Sequence, residues 1–136
     1  MPATPSQAKD GLKARLATIS GLRTYDYQPD QVNPPFAFPT LEEIRYHATA
    51  MGTGGVEMDF TINLILSRQS ERIAQDEIDK YMAYSGSQSV RAAIEGDRTL
   101  GGVCEDCVVR QAGNISNIDA NDTLYVAVDF RVTVYA

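Results

Sequence analysis

The chain has no tryptophan, one histidine and two cysteines among its 136 residues. So few thiols exclude a disulfide framework. Cys104, Cys107 and His47 together fall short of the four ligands of a closed zinc site. Long apolar runs are also missing. Ile62 to Leu66 is interrupted by Asn63 and, like every other run, is far from the roughly 20 residues of a membrane span. Met1 to Asp10 has no basic start followed by an apolar stretch, so no signal peptide is expected. Basic residues are outnumbered, 12 Lys and Arg against 18 Asp and Glu, for a net charge of −6. Residues 1–68 carry 6 bases and 7 acids, whereas residues 69–136 carry 6 and 11. The bases are scattered rather than clustered for counterion release from phosphates. Tight nucleic-acid binding is therefore not expected, and the acidity suits a surface that DNA passes without sticking.

What remains is the make-up of an ordinary folded protein: 43% of residues are hydrophobic and 22% charged. The length fits one domain over residues 1–136, with 1–5 read as a flexible arm. Ser6 is a candidate N-cap, and Leu12, Leu16 and Ile19 recur at i, i+4 and i+7 as one apolar helical stripe. Gly21 is placed to end that helix in the left-handed conformation. Leu22 to Tyr27 reads as a short strand. Gln28 to Pro39 holds Pro29, Pro34, Pro35 and Pro39, which excludes a helix or a central strand. Within it, Phe36 to Phe38 reads as a short edge strand or an anchored loop, both rings pointing the same way.

Glu42 to Ala48 alternates, with Ile44 and Tyr46 on one side and Glu43, Arg45 and His47 on the other. Gly52 to Gly55 is a flexible link. Val56 to Leu66 has a clear period of two: Val56, Met58, Phe60, Ile62, Leu64 and Leu66 face inward, and Glu57, Asp59, Thr61 and Asn63 outward. A second helix runs from Glu71 to about Ala83, capped by Ser70, burying Ile73, Ile78, Tyr81 and Met82. A third, Ser89 to Glu95, buries Val90, Ala93 and Ile94. Val103 to about Ala112 is a strand, Gly113 to Asp122 a polar turn region, and Leu124 to Ala136 the strongest strand of all. Helices segregated from strands joined by short loops predict an α+β fold, a mainly antiparallel sheet with about three helices packed on one face. The other face is left polar by Glu57, Asp59, Asn63, Asp129, Arg131 and Thr133.

The residues that could carry chemistry read more simply as structure. Cys104 and Cys107 have C-x-x-C spacing, but they enter a predicted strand, where i and i+3 point to opposite faces; two structural thiols are expected. His47 has no nucleophile pattern beside it and reads as a solvated strand residue. Gly52 to Gly55 lacks the lysine and the following helix of a phosphate loop. Asn117, Asp119 and Asn121 open like a calcium loop, but the sixth and twelfth positions are Asp122 and Val128. The adjacent acids, such as Glu42–Glu43 and Asp76–Glu77, diverge on their elements. No enzyme activity, cofactor or metal is expected. One concentration stands out: Tyr25, Tyr27, Pro34, Pro35, Phe36 and Phe38 gather aromatic and proline surface in an irregular segment, part core and part patch for a partner.

The run from Ala14 to Asp30 (ARLATISGLRTYDYQPD) with Asn33 to Pro39 (NPPFAFP) resembles the tail terminator, or tail completion, proteins of long-tailed phages of actinobacteria. The resemblance continues through Asp59 to Arg68 (DFTINLILSR), Ser89 to Glu95 (SVRAAIE), Thr99 to Gly102 (TLGG) and the closing Val134 to Ala136; Cys104 to Cys107 stand outside it. It implies a virion protein assembled in the host cytoplasm: a ring, typically a hexamer, at the head-proximal end of the tail tube. Such a ring stops tube growth and meets the head connector, with the major tail tube protein and the connector as partners and DNA passing through its lumen. The expected contact surfaces are Tyr25, Tyr27, Pro34, Pro35, Phe36 and Phe38, with Met51, Gly52, Gly54 and Gly55 in a second loop. The competing readings are another neck protein, such as a stopper or adaptor, a tube-like ring of prophage origin, and a small thiol-dependent enzyme built on Cys104 and Cys107.

Overall fold

A computed structural model describes residues 4–19, 21–25, 35–46, 56–67, 71–120 and 123–135. The order is α1 (Pro5–Leu16), β1 (Arg23–Thr24), β2 (Phe36–Tyr46), β3 (Val56–Ser67), α2 (Glu71–Met82), α3 (Val90–Glu95), β4 (Asp106–Ala120) and β5 (Thr123–Tyr135). The strands form one sheet in the order β1-β2-β3-β5-β4. Among the described residues every pairing is antiparallel except β1 with β2. The fold is α+β, as expected.

α1 starts two residues earlier than the sequence predicts. Thr4, not Ser6, is the N-cap: its hydroxyl accepts from the Gln7 N–H at 3.2 Å, while Gln7 accepts from the Thr4 N–H at 2.9 Å. This reciprocal pair satisfies two donors that a helix start otherwise leaves bare, and Pro5 fits N1, where no donor is needed. Pro5 therefore belongs to the helix rather than to an arm. Gly21 does take the left-handed conformation, at φ +82°, but in the turn after the helix, whose C-cap is Ala17.

The predicted stripe Leu12, Leu16 and Ile19 is buried, and it meets Ile78 and Tyr81 of α2, Val90 and Ile94 of α3, and the inward residues of β3 and β5 in one core. Met58, Phe60, Ile62, Leu64 and Leu66 alternate into it from β3, and Val126, Val128, Phe130, Val132 and Val134 from β5. Each such side chain contributes about 1.5–3 kcal/mol on burial. Gly11 lets α1 approach closely: a Cβ there would lie 2.8 Å from the Cβ of Leu100. Leu100 is itself held at φ +52°. Ser89 caps α3 by accepting from the Ala92 N–H at 3.1 Å.

β2 is one strand where the sequence gives two fragments. Its register slips between Leu41 and Glu43, so Glu42 is the extra residue of a bulge. Before the bulge the even-numbered Phe36, Phe38 and Thr40 share the helix-free face; after it the odd-numbered Glu43 and Arg45 do. That change of parity hides a continuous strand from any period-two reading. Pro39 is accommodated for a related reason. The carbonyls of Pro35 and Ala37 accept from the N–H groups of Arg23 and Tyr25 at 3.1 and 3.0 Å. Pro39, two residues on, thus turns its donorless nitrogen to the same side, past the end of β1 and away from β3. Tyr46, expected inward, is 69% exposed at the last pair of the β2–β3 ladder.

The expected polar turn region 113–122 is instead mostly strand: β4 pairs with β5 from Asp106 to Ala120. Two register shifts, between Val109 and Gln111 and between Gly113 and Ser116, carry a polar sequence along the ladder. Among the described strands β4 is outermost, and its ladder to β5 holds it by backbone bonds.

Candidate functional site

The helices cover one face of the sheet, and the opposite face is the candidate site. Its two ends differ. Where β2 begins and β3 ends, Phe36, Ile65 and Ala127 are buried together, with Tyr25, Phe38 and Tyr125 packed beside them. The Phe36 and Phe38 rings stack with centroids 6.1 Å apart and planes 15° apart, and Tyr25 meets Phe36 edge-on at 6.0 Å. The cross-strand pairing Phe36↔Ile65 and Ile65↔Ala127 assembles this apolar row.

Toward the other end the face becomes ionic. The pairings Arg45↔Glu57, Glu43↔Asp59 and Asp59↔Thr133 place these side chains side by side. Arg45 donates to Glu57 and to Asp59 at 2.7 Å each, and to Glu43 at 3.2 Å. The Thr133 hydroxyl donates to Asp59 at 3.0 Å, and Arg110 donates to Thr133 at 2.7 Å. Arg110 also donates to the Tyr135 hydroxyl. Between the two ends, Asn63 donates to Thr40 at 2.9 Å. An open hollow of about 560 Å³ lies over this stretch, lined by Asp59, Thr61, Asn63, Arg110, Asp129 and Arg131 among others.

The network acts on the ionisation of Asp59 and Arg45. The Arg45 guanidinium, then the Thr133 hydroxyl, hold the Asp59 carboxyl below its usual value although partial burial pushes the other way. Arg45 is held charged chiefly by its bonds to Asp59 and Glu57. A carboxylate locked onto a guanidinium accepts no proton near neutrality, so Asp59 is a poor general base or acid. No group of three or more His, Cys, Asp or Glu among the described residues is arranged to hold a metal ion.

Cys104 and Cys107 lie in the same core, which corrects the expectation that they diverge. Cys104 precedes β4 in a turn, so strand alternation does not relate the two. Burial pushes the Cys104 thiol up to about 11 and the Cys107 thiol up to about 12. Both are free. A thiol so far from ionisation is a weak nucleophile.

Of the residues expected to make contacts, Tyr25, Pro35, Phe36 and Phe38 lie at the apolar end of this face or at its margin. Phe36 is only 4% exposed, so it is core; Tyr25 and Phe38 are half-buried. Tyr27, Pro34, Met51, Gly52, Gly54 and Gly55 lie outside the described residues, as does His47. Sequence reasoning named Glu57, Asp59, Asn63, Asp129, Arg131 and Thr133 as outward, and all belong to β3 or β5 on this face. It missed the central position of Arg45 and the part played by Arg110, which the β4 register shift inserts as an extra residue.

No protein-family model matches the chain, and no curated protein does. A chain in the solved virion of a native gene transfer agent (GTA) particle is similar over 98% of this chain and 96% of that one, at 16% identity and a TM-score of 0.43.

Proposed function

We propose that this protein is a virion structural subunit, the tail terminator of a long-tailed phage, acting as a ring at the head-proximal end of the tail tube. The observation that carries the reading is the asymmetry of the helix-free sheet face, aromatic at one end of the strands and ion-paired at the other. A tube stops growing when its last ring offers a surface unlike the one it docked with. A subunit with chemically different strand ends gives such a ring two unlike rims. The aromatic end, with Tyr25 and Phe38 half-buried, has the composition of a protein contact. The resemblance of Ala14 to Pro39 and Asp59 to Arg68 to tail terminators supports the same reading.

Catalysis fits poorly with the chemistry. The thiols are buried and neutral, and Asp59 is held by Arg45 and Thr133. The net charge of −6 suits a lumen that passes DNA without holding it.

The test is electron microscopy of the purified protein alone, with tail tubes, and with isolated head connectors. Rings that cap one end of the tubes are expected. Binding to connectors without binding to tubes would make it a stopper or adaptor, and a chain that stays monomeric and ignores tube ends would sink the proposal.

A further inference from the structure

The turn between α3 and β4 brings the two thiols together, and neither has a part in the proposed function. Cys104 is 8% exposed and Cys107 0%, both in the main core. The chain bends at Cys104 and Glu105 before β4 begins at Asp106, which turns both side chains inward. The Cys107 side chain lies within hydrogen-bonding reach of the Cys104 thiol, and Cys104 itself donates to the Arg98 carbonyl at 3.4 Å. The backbone around the pair is pinned. The Cys104 N–H donates to the Thr99 carbonyl at 3.0 Å, and the Glu105 N–H to the Tyr135 carbonyl at 2.9 Å. Arg98 clamps Asp106 with bonds of 2.7 and 2.9 Å. Asp97 accepts from the Thr99 and Gly101 N–H groups at 3.1 and 3.0 Å. Two neighbouring thiols in a frame fixed on both sides need little backbone movement to join, and backbone movement is what most often forbids a disulfide.

We infer that Cys104 and Cys107 are a disulfide-forming pair, which a low-molecular-weight disulfide such as oxidised glutathione closes into a staple between the 97–104 turn and β4. Cys104, the more exposed of the two, reacts first. Its proton passes to water, and the thiolate attacks one sulfur of the small disulfide. That S–S bond breaks, and the RS⁻ released takes up a proton. The Cys107 thiolate then attacks the Cys104 sulfur, which forms the Cys104–Cys107 bond and expels the second RS⁻. Two electrons pass from the protein to the small disulfide, which ends as two thiols. Burial pushes Cys104 up to about 11 and Cys107 up to about 12, so few thiols are ionised near neutrality and closure is slow. Such a pair stays open in a reducing cytosol and closes in an oxidising medium. The staple fastens the turn that holds Leu100 at φ +52° beside Gly11 of α1. Closure needs one chain alone and does not depend on ring formation.

The test incubates the purified full chain with oxidised glutathione from about pH 7 to about pH 10, below both thiol values, and reads intact mass and non-reducing peptide maps. Each chain should lose two hydrogens, with Cys104 and Cys107 linked within one chain and dithiothreitol reversing the change. The rate should rise about tenfold per pH unit, following the thiolate fraction. Closure should raise the urea midpoint by about 1 M. Cys107→Ala, checked for folding by circular dichroism, should stop instead at a mixed disulfide on Cys104. Thiols that stay reduced in the folded chain, whether or not they join in urea, would overturn the pairing. So would a lasting glutathione adduct on the unaltered chain, or disulfides found only between chains. A lowered urea midpoint would overturn the staple. None of these outcomes touches the ring reading, which microscopy tests separately.

Discussion

Phe36 and Phe38 stand two residues apart on one strand and stack on each other, yet they should fail in different ways when truncated. Phe36 is 4% exposed and sits between Tyr25 and Phe38, with Ile65 and Ala127 in the same cluster. Phe36→Ala removes a fully buried aromatic, which costs about 3–5 kcal/mol. Two ring contacts at 6.0 and 6.1 Å disappear with it, each worth about 0.5–1.5 kcal/mol within that total. Against a domain stability of about 5–15 kcal/mol this is a large fraction. With a urea slope of about 1–3 kcal/mol per molar, the unfolding midpoint should fall by about 1–5 M. Phe38 is half-buried, so Phe38→Ala should cost about 1–2 kcal/mol by lost burial, and its main effect should be weaker capping of tail tubes. The assay pairs urea unfolding by circular dichroism with tube capping seen by microscopy. If Phe36→Ala costs less than Phe38→Ala in stability, the division into core ring and contact ring is wrong. A double Phe36 and Phe38 substitution could not test the interface, because loss of folding would imitate loss of docking.

Three further outcomes follow from the buried thiols and the ionic network. Replacing both Cys104 and Cys107 by Ala should leave a folded, assembling protein at about 1 kcal/mol per site, whereas Ser should cost more, about 1–3 kcal/mol each, by burying a hydroxyl; loss of function in a fully folded Ala variant would restore the thiol-enzyme reading. Because both thiols ionise higher in the folded chain than their ordinary 9.0, their contribution is intact below pH 9.0 and lost as pH rises through about 11 and 12, which urea midpoints across alkaline pH would register. Asp59 shifts the opposite way: its folded value lies below 3.8, so its contribution is present above pH 3.8 and lost as pH falls through the lower folded value. Asp59→Asn should flatten that acid limb, and an unchanged limb would mean that the Arg45 bonds do not persist in solution.

Much of the fold was legible because period and burial coincide. Val56 to Leu66 and Leu124 to Tyr135 each present one apolar face, so their strands, their inward residues and the polar outer face could be read directly. The stripe Leu12, Leu16 and Ile19 was legible for the same reason: it is a local pattern with a local cause. Where backbone register intervened, the reading failed. The bulge at Glu42 reverses the parity of β2 halfway along, so one strand looks like two and Pro39 looks forbidden. The bulges in β4 let a polar stretch that reads as a turn run on as an edge strand.

Sequence alone thus determined the α+β class, the acidic charge, the helix-facing core and the candidate outer positions, because those follow from spacing and composition. Tertiary structure decided which outer residues meet. Arg45 reaches Asp59, and Arg110 reaches Thr133, only through cross-strand register, a relation between segments far apart in the chain. It also decided that Phe36 is core and Phe38 half-buried, and that both thiols share one interior, because burial depends on what packs around a residue and no local spacing records that.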